Sequence, residues 1–261
     1  RKSGWCAFFV WCPLQPAYAL LMETSPLQQP QLLHKDIAVE IRKAFVRKVY
    51  GILSCQLLLT VVTAAPIAFA GKQWAAAHVW VCFVGLASFI AVLCVAMCNR
   101  SLMRTVPWNY ILLFSLTLAM SVIVGFESAM YTWESVLLAA FMTSAVFICL
   151  TLYAWFTSTD FTGLGPYLFC FCSLLCVMGW ILLVMRICGL QVEWLVMLYN
   201  LCGVFLFCVY IIFDTQKILG QWGGHQRQFQ IDDYCMAALQ LYLDIIELFL
   251  FLLRLFGNRR S

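Results

Sequence analysis

Charge is scarce in this chain. Of its 261 residues, 16 are Lys or Arg and 12 are Asp or Glu, so 11% are charged while 64% are hydrophobic. A soluble domain carries roughly a quarter charged residues and about half apolar ones. So few polar groups cannot cover a water-facing surface, which excludes a soluble globular domain and leaves lipid as the solvent. Histidine is nearly missing as well, with three residues. His78 and His225 each stand alone at loop positions, so no histidine metal centre is expected. Cysteine is plentiful at fourteen residues, yet no CxxC and no Cys/His cluster with zinc spacing occurs. Cys94, Cys98, Cys149, Cys170, Cys172, Cys176, Cys202 and Cys208 lie inside apolar runs and read as small buried hydrophobes. Long polar segments and internal repeats are also missing, so no separate soluble domain is expected. The formal net charge of +4 is not gathered into a nucleic-acid-binding patch, and its use is topological.

What remains is a series of long, continuous apolar runs. In hydrocarbon only helices or closed barrels satisfy the backbone, and runs that do not alternate favour helices over a barrel. A span takes about 20 apolar residues. Seven such stretches occur, at 50–70, 78–98, 108–127, 133–156, 165–187, 193–217 and 234–256. The expected fold is therefore all-α, a polytopic membrane protein of about seven transmembrane helices. Most connections are short; only Ile218 to Asp233 is polar for any distance. Trp74, Trp80, Trp108, Trp133 and Trp194 fall at span ends, as aromatic belts do.

The chain opens on Arg1, and residues 1–21 carry an apolar run broken by Pro13 and Pro16 before Ala17-Tyr18-Ala19. That pattern resembles a signal peptide with its cleavage site. Met22 follows at once, so residues 1–21 are read as upstream or artefactual sequence, and 1–35 as a disordered or non-native segment. Residues 36–257 form a single transmembrane domain and 258–261 a basic tail. Between Asp36 and Tyr50, Ile37, Ile41, Phe45 and Val49 recur every four residues among Arg42, Lys43, Arg47 and Lys48. This is a basic amphipathic helix running into the first span, and its charge holds the N-terminal side in the cytosol. Arg100, Arg104, Lys217 and Arg227 then fall inside as well. Seven full spans put Arg254, Arg259 and Arg260 outside, against the rule; a re-entrant last segment would keep them inside. The reading adopted is seven helices with the last one wrapped by the others, because its carboxylates suit lipid poorly.

Those carboxylates are the informative residues. Ionisable groups inside a span are costly and mark ion or proton paths. Asp244 and Glu247 lie three apart in the last apolar run and share a helix face. Arg254 lies seven beyond Glu247, about 10 Å along the axis, and reads as a snorkelling residue at the interface. Asp214 lies near the cytosolic end of the sixth span, with Lys217 on a similar face. Where those helices are neighbours, Asp214 and Asp244 meet, share a proton and titrate as a pair. The proton locks them; its loss creates repulsion and a hard oxygen site suited to Ca²⁺. That is a pH-sensitive, cation-selective gate, with Asp214 and Asp244 as transient metal ligands. The plainer alternative makes Asp214 a helix-end residue in interfacial water. Glu127, Glu134 and Glu193 read as interfacial acids at the outer span ends.

The same residues resemble a known family, the transmembrane Bax inhibitor motif or lifeguard proteins, over roughly Ile37 to Phe256. The resemblance rests on Ile41-Arg42-Lys43-Ala44-Phe45-Val46-Arg47-Lys48-Val49-Tyr50-Gly51-Ile52-Leu53-Ser54, on Asp160-Phe161-Thr162, on Phe213-Asp214-Thr215, and on Tyr242-Leu243-Asp244-Ile245-Ile246 with Leu248-Phe249-Leu250. The nearest branch is the lifeguard/Golgi anti-apoptotic group. The resemblance implies seven helices with the last central, residence in Golgi or endoplasmic reticulum membranes, a Ca²⁺ leak that lowers store calcium, and inhibition of apoptosis. It implies membrane lipid, permeant Ca²⁺ and apoptosis-regulating membrane proteins as partners, and no cofactor. It also implies Asp214 and Asp244 as the pH latch, with Arg100 as the basic residue engaging it. Where relatives of that family commonly carry Asn after Asp-Ile-Ile, this chain has Glu247, a further acid that alters the pair's titration or strengthens cation binding.

Two other classes compete. A non-conducting scaffold would bind apoptosis regulators through helix 36–50 and loop 218–233. An intramembrane aspartyl protease also places two aspartates on consecutive late spans, but Asp244 is not in a Gly-x-Gly-Asp setting and no Pro-Ala-Leu motif follows. No enzyme is expected.

Overall fold

The computed structural model describes residues 32–260 except Arg100 and Gln191, and for Leu32 to Ile37 and Met97 the backbone only. The expectations for residues 1–21, most of 1–35, and Arg100 lie outside the described residues. The chain forms α1 (Leu32–Ala77), α2 (Val79–Cys98), α3 (Trp108–Ala129), α4 (Trp133–Phe156), α5 (Gly165–Ile187), α6 (Glu193–Leu219) and α7 (Tyr234–Phe256). Each is long and apolar enough to cross a membrane. Among the described residues there is no named strand, only an isolated antiparallel bridge between Tyr131 and Arg259. The all-α, seven-helix expectation is met.

The basic amphipathic segment and the first span are one helix. In α1, Gly71 takes φ 79° and ψ 180°, a conformation that glycine reaches without the strain a Cβ brings. The turn expected at Gly71-Lys72-Gln73 is therefore a single-residue kink, after which the helix resumes. Along α1 the buried residues include Arg42, Phe45, Val49, Ile52, Leu53, Gln56 and Thr60, the three- and four-residue spacing of one helix face.

Helix α7 occupies the centre. It packs against α1, α3, α4 and α6, and 19 of its 23 residues are buried, against 4 of the 24 in α4. The outer helices show lipid-type surfaces instead, with Phe69, Phe141, Phe156, Phe205, Trp80, Trp133 and Trp194 exposed. Their burial in lipid replaces the burial in protein that a soluble bundle would need.

The last segment is not re-entrant. It begins beside the α2–α3 connection, where Arg104 pairs with Asp233 (Nε–Oδ1 2.7 Å). It ends at the α3–α4 turn, where Thr132 N donates to Asn258 O (3.0 Å) and Arg260 N to Met130 O (3.0 Å). Lys72 Nζ also donates to Arg260 O (3.0 Å), and Arg260 Nη1 to Ala68 O (3.3 Å). The basic tail thus closes over the bundle end opposite Arg42.

Candidate functional site

Helix α6 carries Asp214 and Lys217 one turn apart near its C-terminal end, and α7 carries Asp244 at mid-length. The two helices are antiparallel neighbours joined by residues 220–233. Asp214 is 2% exposed and Asp244 0%, and their side chains share a hydrogen bond. Two ionised carboxylates offer only acceptors, so a hydrogen bond between them requires a proton on one of the two. The alternative of Asp214 in interfacial water is set aside by its burial. Lys217 Nζ lies 3.7 Å from Asp214 Oδ1, 4.3 Å from the Phe229 ring centroid and 4.9 Å from that of Phe213. The ammonium is thus held by a carboxylate and two aromatic faces.

A frame of polar contacts holds this end of α6. Arg42, itself buried, donates from Nη1 to Phe229 O (2.7 Å), from Nε to Leu219 O (3.3 Å) and from Nη2 to Lys217 O. A guanidinium offers five donors in a rigid fork, and here it satisfies the carbonyls that the end of α6 leaves without helical partners. Gln216 accepts from Phe161 N (2.7 Å) and donates to Thr159 O (2.9 Å). Asp160 accepts from Thr162 N (2.9 Å), Thr162 Oγ1 (2.7 Å) and Gln226 N (3.1 Å). Burial works against the charge on Asp160, but the Thr162 and Gln226 donors and His225 outweigh it and hold its carboxyl below the ordinary range. His225 is buried, its Nδ1 3.8 Å from Asp160 Oδ1. It is not the lone loop histidine its position suggests. Desolvation pushes its imidazole below the usual value, with Asp160 acting against that.

A second charged group lies at the other end. Arg254 Nη2 is 3.9 Å from Glu127 Oε1, with both side chains buried. This corrects two expectations: Arg254 does not snorkel to the interface, and Glu127 is not an interfacial acid. The spans end as expected, but α7 is central, so its last turn faces α3 rather than water or headgroups. Glu247 is 0% exposed. Neither of its carboxyl oxygens has a hydrogen-bond partner among the described residues, and Arg254 is the opposite charge that acts on it. Glu247 does not join the Asp214–Asp244 contact; it lies about 4.5 Å further along the α7 axis. Among the described residues no three His, Cys, Asp or Glu side chains cluster as a metal centre.

Arg42, Gln216 and the Glu127–Arg254 pair escape a reading of the sequence. Arg42 had a signal, since it lies on the buried Phe45–Val49 face, but it is one cation among four in that stretch. Gln216 and Glu127 find partners on remote segments, which spacing cannot reveal.

A family model described as inhibitor of apoptosis-promoting Bax1 matches residues 42–261. The chain belongs to this family. Protein lifeguard 3 of Homo sapiens is 36% identical over 228 residues, covering 84% of this chain and 70% of that protein. Its Mus musculus counterpart is 33% identical over 228 residues, 84% of this chain and 71% of that protein. Protein LIFEGUARD 4 of Arabidopsis thaliana is 33% identical over 224 residues, 83% and 85% of the two chains. This member of the family is thus a multi-pass membrane protein, with lipid as its environment.

Proposed function

We propose that this protein is a pH-sensitive Ca²⁺ leak channel of Golgi or endoplasmic reticulum membranes, which lowers store calcium and thereby opposes apoptosis. The observation that carries the reading is the buried hydrogen bond between Asp214 on α6 and Asp244 on α7. A proton shared between two carboxyls couples the α6–α7 contact to pH. When the proton leaves, two like charges face each other at low dielectric, the helices are pushed apart, and carboxylate oxygens become available to a hard cation. Flux therefore rises as pH rises through the pair's titration. Lys217 sets the local charge balance, Glu247 offers a further anionic position along α7, and Ca²⁺ is cargo, not a resident metal. Arg100 remains the proposed basic partner of the latch by family resemblance. The protein acts without catalysis, and apoptosis-regulating membrane proteins are its proposed partners.

The test is Ca²⁺ flux in proteoliposomes for the parent, Asp214→Asn and Asp244→Asn. The expected result is a pH-dependent flux whose pH response disappears in both variants. Parent-like pH dependence in both would sink the latch. Absence of flux from the parent would favour a non-conducting scaffold, and cleavage of a single-span substrate by the purified protein would favour a protease.

A further inference from the structure

On α7, Gln240, Asp244, Glu247, Phe251 and Arg254 follow one another at spacings of four, three, four and three residues. At about 100° per residue they fall within roughly 80° of one another, a single stripe along a buried helix. Every member but one is polar or charged. The exception, Phe251, lies between Glu247 and Arg254 and is 0% exposed.

Phe251 is held by α6. Its ring centroid is 5.7 Å from that of Tyr199 and 5.8 Å, stacked, from that of Phe207. Phe207 continues to Tyr210 at 5.9 Å, and Tyr210 to Phe213 at 6.4 Å. The column runs from the Glu127–Arg254 end to the Asp214–Lys217 end. The ring of Phe251 fits over Gly203, where a Cβ would fall 2.5 Å from its Cδ1 and Cζ atoms. Gly203 is helical, so no backbone conformation requires glycine there; the Phe251 ring does.

We propose that Phe251, seated on Gly203, is the hydrophobic gate of the ion path, separating the Glu127–Arg254 end from Glu247 and the Asp214–Asp244 latch. This rests on the leak-channel reading. An aromatic constriction bars a hydrated cation because it offers no oxygen to replace the hydration shell, and it opens by admitting water. Glu247 and Arg254 flank the ring about 6 Å and 4.5 Å away along the axis. A Ca²⁺ ion therefore leaves the carboxylate of Glu247, crosses one aromatic ring, and reaches that of Glu127, the partner of Arg254. Movement of α6 against α7 when the latch deprotonates unseats the ring from Gly203, so one motion opens both points.

The test is Ca²⁺ flux in proteoliposomes under the acidic condition in which the parent is least active. Phe251→Ala is expected to raise flux about tenfold or more. Gly203→Ala, which displaces the ring, is expected to raise it as well. In the double variant the methyl group meets empty space, so Gly203→Ala adds nothing to Phe251→Ala, a coupling that a double-mutant cycle reads directly. If Phe251→Ala does not elute as the parent does, Phe251→Leu carries the test, with a smaller rise expected. A parent whose flux responds to Asp244→Asn, but not to any Phe251 or Gly203 substitution, overturns the gate and leaves the latch standing. A parent without flux overturns both.

Discussion

At the bundle end bearing the 220–233 connection, two carboxyls bond to each other, and the cations around them are only partly given to them. Lys217 is shared between Asp214 and two aromatic rings, and Arg42 spends its donors on three backbone carbonyls. At the opposite end a carboxylate is served by a guanidinium: Arg254 pairs with Glu127, and its charge also reaches Glu247, about two turns back along α7. The two ends bury similar groups with different bookkeeping. A carboxyl–carboxyl bond includes a proton, so its existence depends on pH. A carboxylate–guanidinium pair contains no shared proton, and its arginine stays charged throughout the accessible range. The first end is built to change state and the second to hold its shape.

Four experiments sharpen or break that contrast. The largest expected effect is functional: Asp244→Asn abolishes the pH response of Ca²⁺ flux, measured as the flux ratio between acidic and mildly alkaline conditions. Its amide still offers hydrogen-bond donors and acceptors, so thermal stability in detergent should change by less than about 1 kcal/mol. Arg254→Met should do the reverse in stability. Removing one partner of a buried pair strands the other, at about 3–5 kcal/mol, seen as a lowered midpoint in a thermal or denaturant scan. Adding Glu127→Gln should recover part of that loss. If Arg254→Met melts like the parent, the second end is not the rigid one.

Arg42→Gln comes next. It keeps one or two bonds to the carbonyls of Lys217, Leu219 and Phe229 and should cost about 1.5–3 kcal/mol, the range for hydrogen bonds to a charged group. Faster hydrogen exchange at the end of α6 would report it. Smallest is the loop lock. Asp160 is held below the ordinary carboxylate range, so its contribution is present above that range and lost as pH falls through its folded value. His225, held below its usual value by burial, stabilises while neutral. Acid below about pH 6.5 then protonates the opened loop before the closed one. The protection factor of the Gln226 amide should fall on acidification, and a factor independent of pH would remove this lock from the scheme.

The sequence makes one end of this contrast legible and hides the other. Six of the seven spans emerge within a few residues because each needs about 20 apolar positions and little else, while the first, expected at 50–70, is continuous with the basic helix before it. The Asp214–Asp244 contact follows from two acids on consecutive spans. Arg254 misleads because its place at a span end suggests an interface, and only the centrality of α7 turns that end inward toward Glu127. Gly203 carries no signal at all: inside an apolar run a glycine acquires meaning only from the ring that covers it. The kink at Gly71 is hidden because a glycine beside Lys72 reads equally well as a loop.

The near-complete burial of α7 also bears on how the protein is made. A helix with Asp244, Glu247 and Arg254 in its apolar run enters lipid poorly by itself, since a charged residue near mid-span costs about 2.5–3.5 kcal/mol on insertion. It is also the last of the seven described helices to be synthesised. Synthesis from the N-terminus lets earlier segments fold first, so α1 to α6 are in the membrane before α7 arrives. For this last helix the receiving solvent is the protein itself, and a defect in the six-helix sleeve would show as α7 left outside the bilayer before it showed as lost flux.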